Sequence, residues 1–324
     1  MIAGGLVAGR GRGEPTMERV KRVLFDNFEI VLVAVLTMGA AYTVLIASNK
    51  LAFLNFFYIP VLLAAYFLGR RRGVLAGVVA VLLIGLYAVI SPDLFSGSVA
   101  IPGLNIFLWG AFLIVTAYVV GTLYDLKTQS ARDLQQAYEG ILEIVAKFID
   151  AVDDYTQDHS VRVSVLGKKI ALSMGMSEAD AEDIRVAGLL HDIGKLDINL
   201  GVLTKASALT PEEWNHMKTH TTKGSSMLEP MGGMLKEVLP IVRFHHEYYD
   251  GSGYHGVAAE DIPLGARVLA VADSYDAMIT DRPYRKGRTP REAKVEIEER
   301  VGLQFDPEVV AAFTLVMRDE VQVA

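Results

Sequence analysis

An all-α fold in two parts is what this sequence predicts, and three features predict it. Four charge-free apolar runs crowd the first 124 residues, helical periodicity governs the rest, and no stretch beyond Val152 alternates in the two-residue rhythm of a strand. At 324 residues the chain has room for about two domains of ordinary size. Hydrophobic residues make up 52% of it and the mean hydropathy is +0.32, with nearly all the excess in the first part. A net charge of -7 provides no global basic field, so a nucleic-acid polymer is not an expected partner. Cysteine is absent, which excludes disulfides, thiolate nucleophiles and Cys-held metals.

The apolar runs extend from Ile30 to Asn49, Leu51 to Gly69, Gly73 to Pro92 and Leu94 to Tyr124. Each can hold a helix of the roughly 20 residues that cross a bilayer. Pro92, Gly97, Pro102 and Gly103 make 91–103 a loop, so the fourth span begins near Leu104. Four transmembrane helices are therefore expected over 27–124, after a tail at 1–26. Arg10, Arg12, Arg19, Lys21 and Arg22 precede the first span, and Arg70-Arg71-Arg72 form a tight basic turn between the second and third. Lys50 stands alone in the first loop and the third loop has no cation, so both termini are expected in the cytoplasm and the module in the inner membrane. No small-residue cleavage site flanks the first span, so a removed signal peptide is not expected. Met17 is a second candidate start.

The segment 125–150 turns polar and reads as a connecting helix. Leu134, Ala137, Ile141, Ile144, Phe148 and Ala151 recur at alternating spacings of three and four, a short heptad seam. Such a seam either pairs two copies of the chain as a parallel dimer or packs on its own domain.

From 151 to 324 a soluble helical domain is expected, with segments such as 160–174, 178–190, 211–228 and 290–300 showing helical periodicity. Thr210 before Pro211-Glu212-Glu213 combines an N-cap, Pro at the first helical position and acids in the first turn. Ser177 and Thr289-Pro290 give similar starts. All seven histidines lie between 159 and 255: His159, then His191-Asp192 at the end of an apolar helix, His216, His220, the vicinal pair His245-His246, and His255. Asp273 follows in Val-Ala-Asp. Imidazoles and carboxylates suit Mn, Fe, Zn or similar ions. One carboxylate can bridge two cations and make a site for hydroxide between them. Five His and two Asp are about what two metals need when water fills the remaining positions. A lone helical histidine is more often structural, and His216, four residues before His220, is left in that class.

The ordered set His191-Asp192-Ile193-Gly194-Lys195, His245-His246-Glu247-Tyr248-Tyr249-Asp250-Gly251-Ser252-Gly253-Tyr254, Asp281-Arg282-Pro283-Tyr284-Arg285 and Gly302-Leu303-Gln304-Phe305-Asp306-Pro307 resembles the HD-GYP domain family over about residues 140–315. The resemblance implies an HD-superfamily helical bundle, two divalent metal ions (Fe or Mn), and hydrolysis of cyclic di-GMP by a metal-bridged hydroxide. It implies ligand roles for His159, His191, Asp192, His220, His245, His246 and Asp273, with Asp192 as the bridge. It places Lys195 near the scissile phosphate and Tyr254, Arg282 and Arg285 against substrate.

Three departures qualify it. Tyr155 stands where some family members carry a Glu that helps hold a third metal, so two metals are expected. His255 replaces the Pro of the Gly-Tyr-Pro motif and cannot fix φ as Pro does. Ala206 follows Lys205 where the family often has Pro. Two alternatives stay open beside the leading reading: hydrolysis of another nucleotide, such as a different cyclic dinucleotide, or a non-catalytic receptor for cyclic di-GMP.

Overall fold

The computed structural model describes residues 27–46, 53–90, 102–152, 158–205, 207–281 and 286–323. Among them regular structure is helical throughout, apart from one isolated bridge between Val301 and Phe305. Two compact units divide between Gln135 and Gln136.

The first unit contains α1 (Phe28–Ile46), α2 (Tyr58–Ile90), entered by a 3-10 turn at Leu54–Phe57, and the beginning of α3 (Pro102–Val152). Three helices here, not four, are long and apolar enough to cross a membrane: Phe28–Ile46, Leu54–Ile90 and Gly103–Ala151. The expectation of four separate spans is corrected at its second and third members, which form one 37-residue stretch. That stretch bends at Gly69, whose φ of 80° and ψ of 177° are open to glycine and strained for other residues. Beyond the bend the chain folds back, because a Cβ on Gly73 would lie 2.5 Å from the Ala65 Cα. A helix rising about 1.5 Å per residue would hold those two residues some 12 Å apart. The arm before the bend, Leu54 to Leu68, is about 22 Å long by the same rise, short of a hydrocarbon core of roughly 30 Å. Arg70-Arg71-Arg72 lie within α2, on the far side of the bend. Gly121 meets the backbone of Arg70, and Gly110 meets the side chain of Val81. Small residues at such crossings let apolar helices approach without a hydrophobic drive between them. The expected tail at 1–26 and most of the expected loop at 91–103 lie outside the described residues.

In the second unit the end of α3 is followed by α4 (His159–Ser173), α5 (Glu178–Leu190), a 3-10 turn (Ile193–Asp197), α6 (Leu200–Leu203), α7 (Pro211–Leu228), α8 (Val238–Phe244), α9 (Leu264–Ile279), α10 (Pro290–Glu299) and α11 (Pro307–Val323). The expected helix starts are present. The Thr210 hydroxyl accepts the Glu213 N–H while the Glu213 carboxylate accepts the Thr210 N–H, and Thr289 and Glu292 repeat the arrangement. Ser177 accepts from the Asp180 N–H. Each such cap contributes about 1 kcal/mol and fixes where its helix begins.

Helix α3 has two faces in this region. Leu142, Ala146 and Ile149 are buried in the core of the second unit with Val163, Ile184 and Phe313. The heptad seam lies elsewhere on the helix. Leu134, Ile141, Ile144 and Phe148 are 72%, 60%, 56% and 68% exposed, and Ala137 and Ala151 are exposed beside them.

Two glycines set the close approaches around the site. Gly188 lies against the backbone of Ser164 where α5 crosses α4. Gly194 lets the 3-10 turn rest on α7, since a Cβ there would collide with the carbonyl of His220. Gly194→Ala should therefore cost about 1–3 kcal/mol in overpacking and lower the thermal midpoint of the second unit by several degrees. Gly140→Ala meets nothing within 4 Å and should be neutral or slightly stabilising. Circular-dichroism melts of both variants check the contrast, and equal shifts would refute it.

Candidate metal centre

The structure brings seven side chains from five helices, or the residues just after them, into one cluster. His159 opens α4, His191 and Asp192 follow α5, His220 sits in α7, His245 and His246 follow α8, and Asp273 lies in α9. Three sets of three have one ligand atom each within 4.8 Å of one another: His159, His191 and Asp273; His220, His245 and His246; and His191, Asp192 and His245. Asp192 stands between the first two sets. Its Oδ2 lies 3.3 Å from His191 Nε2, and its Oδ1 lies 3.5 Å from His220 Nε2. Asp273 reaches both sides too, with Oδ1 3.3 Å from His159 Nε2 and Oδ2 4.0 Å from His246 Nδ1.

Most of these rings are held by the same device. His191 Nδ1–H donates to the Gly188 carbonyl at 2.8 Å, His220 to Met217 at 2.8 Å and His245 to Val242 at 2.7 Å. A carbonyl can only accept, so each Nδ1 carries a proton and Nε2 is the nitrogen turned to the cluster. At α5 and α8 the accepting carbonyl belongs to the last turn, where helix geometry leaves it without a backbone partner. His159 uses a carboxylate instead: its Nδ1 lies 2.7 Å from Asp276 Oδ2. Arg162 donates to both oxygens of that carboxylate, at 2.6 and 2.9 Å, so Asp276 is itself fixed.

The electrostatics sort the imidazoles into two groups. Burial, reinforced by His246 and neighbouring histidines, holds His245 well below the ordinary histidine range. Burial likewise lowers His220, against the pull of Asp192, and takes His246 to about 4 despite Asp273. For His159 burial acts the same way, but Asp273 and Asp276 outweigh it and push the ring up to about 10. Burial opposes the charge on Asp192, yet Lys195 and His191 overcome it and hold the carboxylate well below its usual range. The Lys195 ammonium lies 2.7 Å from Asp192 Oδ2.

Metal ions fit this donor set. Nε2 of His220 and Nε2 of His245 are fully buried and have no hydrogen-bond partner. An unsatisfied buried acceptor costs about 1–3 kcal/mol, and a cation would remove that cost at both. The donors are imidazole and carboxylate only, which suits borderline divalent ions.

Tyr254 stands at the edge of the cluster, its ring 4.7 Å from His246 and 6.3 Å from His220. The loop that carries it is gripped by Glu247, a buried carboxylate that accepts the N–H of His255 at 2.6 Å and of Val257 at 2.9 Å. Proline at 255 would have no N–H for the first of these bonds. The departure from the family motif therefore exchanges a fixed φ for a charge-assisted hydrogen bond. His255 Nε2 also lies 3.0 Å from the Thr221 hydroxyl, next to His220. Arg282, Arg285 and Tyr155 lie outside the described residues.

Sequence reasoning missed Asp276 and Glu247. The spacing of three between Asp273 and Asp276 would have placed both on one face of α9, a usable signal. Glu247 stands within a quoted motif and was assigned no role.

A family model described as HD domain matches residues 143–309, and the chain belongs to that family. The chain is 40% identical over 194 residues to a cyclic di-GMP phosphodiesterase of Thermotoga maritima, covering 58% of this chain and 53% of that protein. It is 36% identical over 186 residues to a 3'3'-cGAMP-specific phosphodiesterase of Vibrio cholerae, covering 57% and 40%. A cyclic di-GMP phosphodiesterase of Pseudomonas aeruginosa is 35% identical over 210 residues, covering 61% and 50%. The matched part thus spans about half the length of these curated relatives.

Groups that orient a ligand from behind typically change metal affinity by 10–100-fold. Asp276→Asn is expected to weaken Mn(II) binding within that range, with helix content unchanged. Competition against a fluorescent chelator measures it, and wild-type affinity in the variant would remove Asp276 from this role.

Proposed function

We propose that this chain is an HD-GYP-type, metal-dependent phosphodiesterase that hydrolyses cyclic di-GMP and is anchored in the inner membrane, with both termini in the cytoplasm. The observation that carries the reading is Asp192, one carboxylate oxygen facing each of two histidine sets. Two divalent ions, Fe(II) or Mn(II), would supply Lewis-acid charge and lower the pKa of water towards neutrality. His159, His191 and Asp273 would hold one and His220, His245 and His246 the other, with Asp192 shared. His191, His220 and His245 would offer Nε2 to the metals, because their Nδ1–H groups are tied to backbone carbonyls. Lys195 has two tasks: it offsets the buried charge of Asp192 and donates to a non-bridging oxygen of the scissile phosphate as charge develops there. Tyr254 borders the substrate, and Arg282 and Arg285 contact its phosphates or bases. The activities of the relatives support the substrate class.

The 3'3'-cGAMP-specific relative from Vibrio cholerae favours a second reading, in which a mixed cyclic dinucleotide is the substrate. The Mn(II)- or Fe(II)-loaded chain, prepared without oxygen and given a panel of cyclic dinucleotides, separates the two. Linear product from cyclic di-GMP supports the first, preference for cGAMP the second, and no product from any would overturn both. Folded, metal-free protein that still binds cyclic di-GMP would point to a receptor. Asp192→Ala should abolish nearly all activity together with metal binding. Lys195→Ala should keep the metals and slow turnover roughly 10²–10³-fold. Equal metal loss in the two variants would defeat this division of roles.

A second copy of the chain is proposed to cover the exposed seam on α3. The seam keeps heptad spacing over three repeats, and a shared membrane anchor favours parallel pairing. Ile141→Glu with Ile144→Glu should shift the detergent-solubilised chain from dimer to monomer in light scattering. A wild-type monomer would exclude the pairing.

A further inference from the structure

Helix α7 supplies His220 to the cluster, and two more of its side chains stand beside the site without a part in the chemistry above. Trp214 and Lys218 are four residues apart and so share a face of the helix. The Trp214 ring lies 5.9 Å from that of Tyr254, nearly perpendicular at 83°. The Lys218 ammonium lies 5.7 Å from the centre of the same tyrosine ring. With Tyr254 against His246, a row of rings runs from the candidate metal ligands outward and ends at Trp214, which is 44% exposed.

A structural role alone accounts poorly for this pair. An indole that served only to brace Tyr254 would gain most by being covered, yet nearly half of this one faces solvent. The Lys218 contact is of the weak, partly exposed cation–π kind, comparable with the side-chain entropy lost in fixing a lysine. Its ammonium is therefore free to turn towards a stronger anionic partner. Aromatic rings beside cations are the usual means by which proteins hold nucleotide bases and phosphates without reading sequence. A cyclic dinucleotide with one phosphate at the metal centre still has two bases and a second phosphate to place along the rim.

We propose that Trp214 and Lys218 form a subsite for the part of the substrate that does not react: Trp214 stacks on a purine, and Lys218 donates to the phosphate that is not cleaved. The proposal rests on the cyclic-dinucleotide reading above and names residues beyond it.

The test compares two substrates on the Mn(II)-loaded full chain in detergent. Cyclic di-GMP has bases and a second phosphate, whereas bis(p-nitrophenyl) phosphate has neither. Trp214→Ala should lower the preference for cyclic di-GMP over the aryl diester, as a ratio of kcat/KM, by roughly tenfold to a hundredfold, chiefly through KM. Trp214→Phe should restore most of it. Lys218→Ala should reduce the same ratio about tenfold, with Lys218→Arg restoring it. Equal losses on both substrates, or an unchanged ratio, would overturn the proposal. If the wild-type chain cleaves the aryl diester and no cyclic dinucleotide, the substrate reading itself fails. Trp214 fluorescence in a Trp109→Phe chain, which leaves one tryptophan, then decides separately. Quenching by cyclic di-GMP supports the stacking role, and its absence overturns it.

Discussion

The charge on Asp192 is the constraint around which the second unit is arranged. A carboxylate this deeply buried costs several kcal/mol unless its field is answered by nearby cations or donors. The answer comes from Lys195 at 2.7 Å and from imidazoles just after α5 and on α7, groups that the surrounding helices must deliver together. Bringing the 3-10 turn that holds Lys195 onto α7 requires the bare backbone of Gly194, so one absent methyl group sets the spacing between Asp192 and His220. The packing of the bundle and the electrostatics of the cluster are one problem with one solution.

Orientation of the rings follows from a division of labour between local and distant partners. His191, His220 and His245 each donate to a carbonyl three residues earlier, a bond their own helix or its end provides. His159 stands at the start of its helix and uses Asp276, 117 residues away. The Tyr254 loop is held by the nearby Glu247 carboxylate, in place of the proline its motif would normally contain. A substitution that looks like a loss in the motif is thus met by a donor that proline lacks.

The first unit poses a different problem. Its apolar runs were readable one by one, because a hydrophobic run declares itself through composition. The turn between the second and third was read at Arg70-Arg71-Arg72, and the chain reverses immediately before them, at Gly69, whose backbone conformation composition does not declare. The seam on α3 shows the same limit. Its heptad spacing was legible, but only packing reveals that a separate stripe, Leu142, Ala146 and Ile149, is the one buried in the second unit.

By itself the sequence determined the helical class, the capped starts at Ser177, Thr210 and Thr289, and the identity of seven candidate ligands, because caps and periodicity are local and because imidazoles and carboxylates in family order restrict the chemistry. The tertiary structure alone decided which nitrogen of each histidine faces the cluster, that Asp192 presents one oxygen to each side, and that Asp276 and Glu247 brace the site. Those facts depend on where side chains turn and how helices cross, which spacing along the chain does not set.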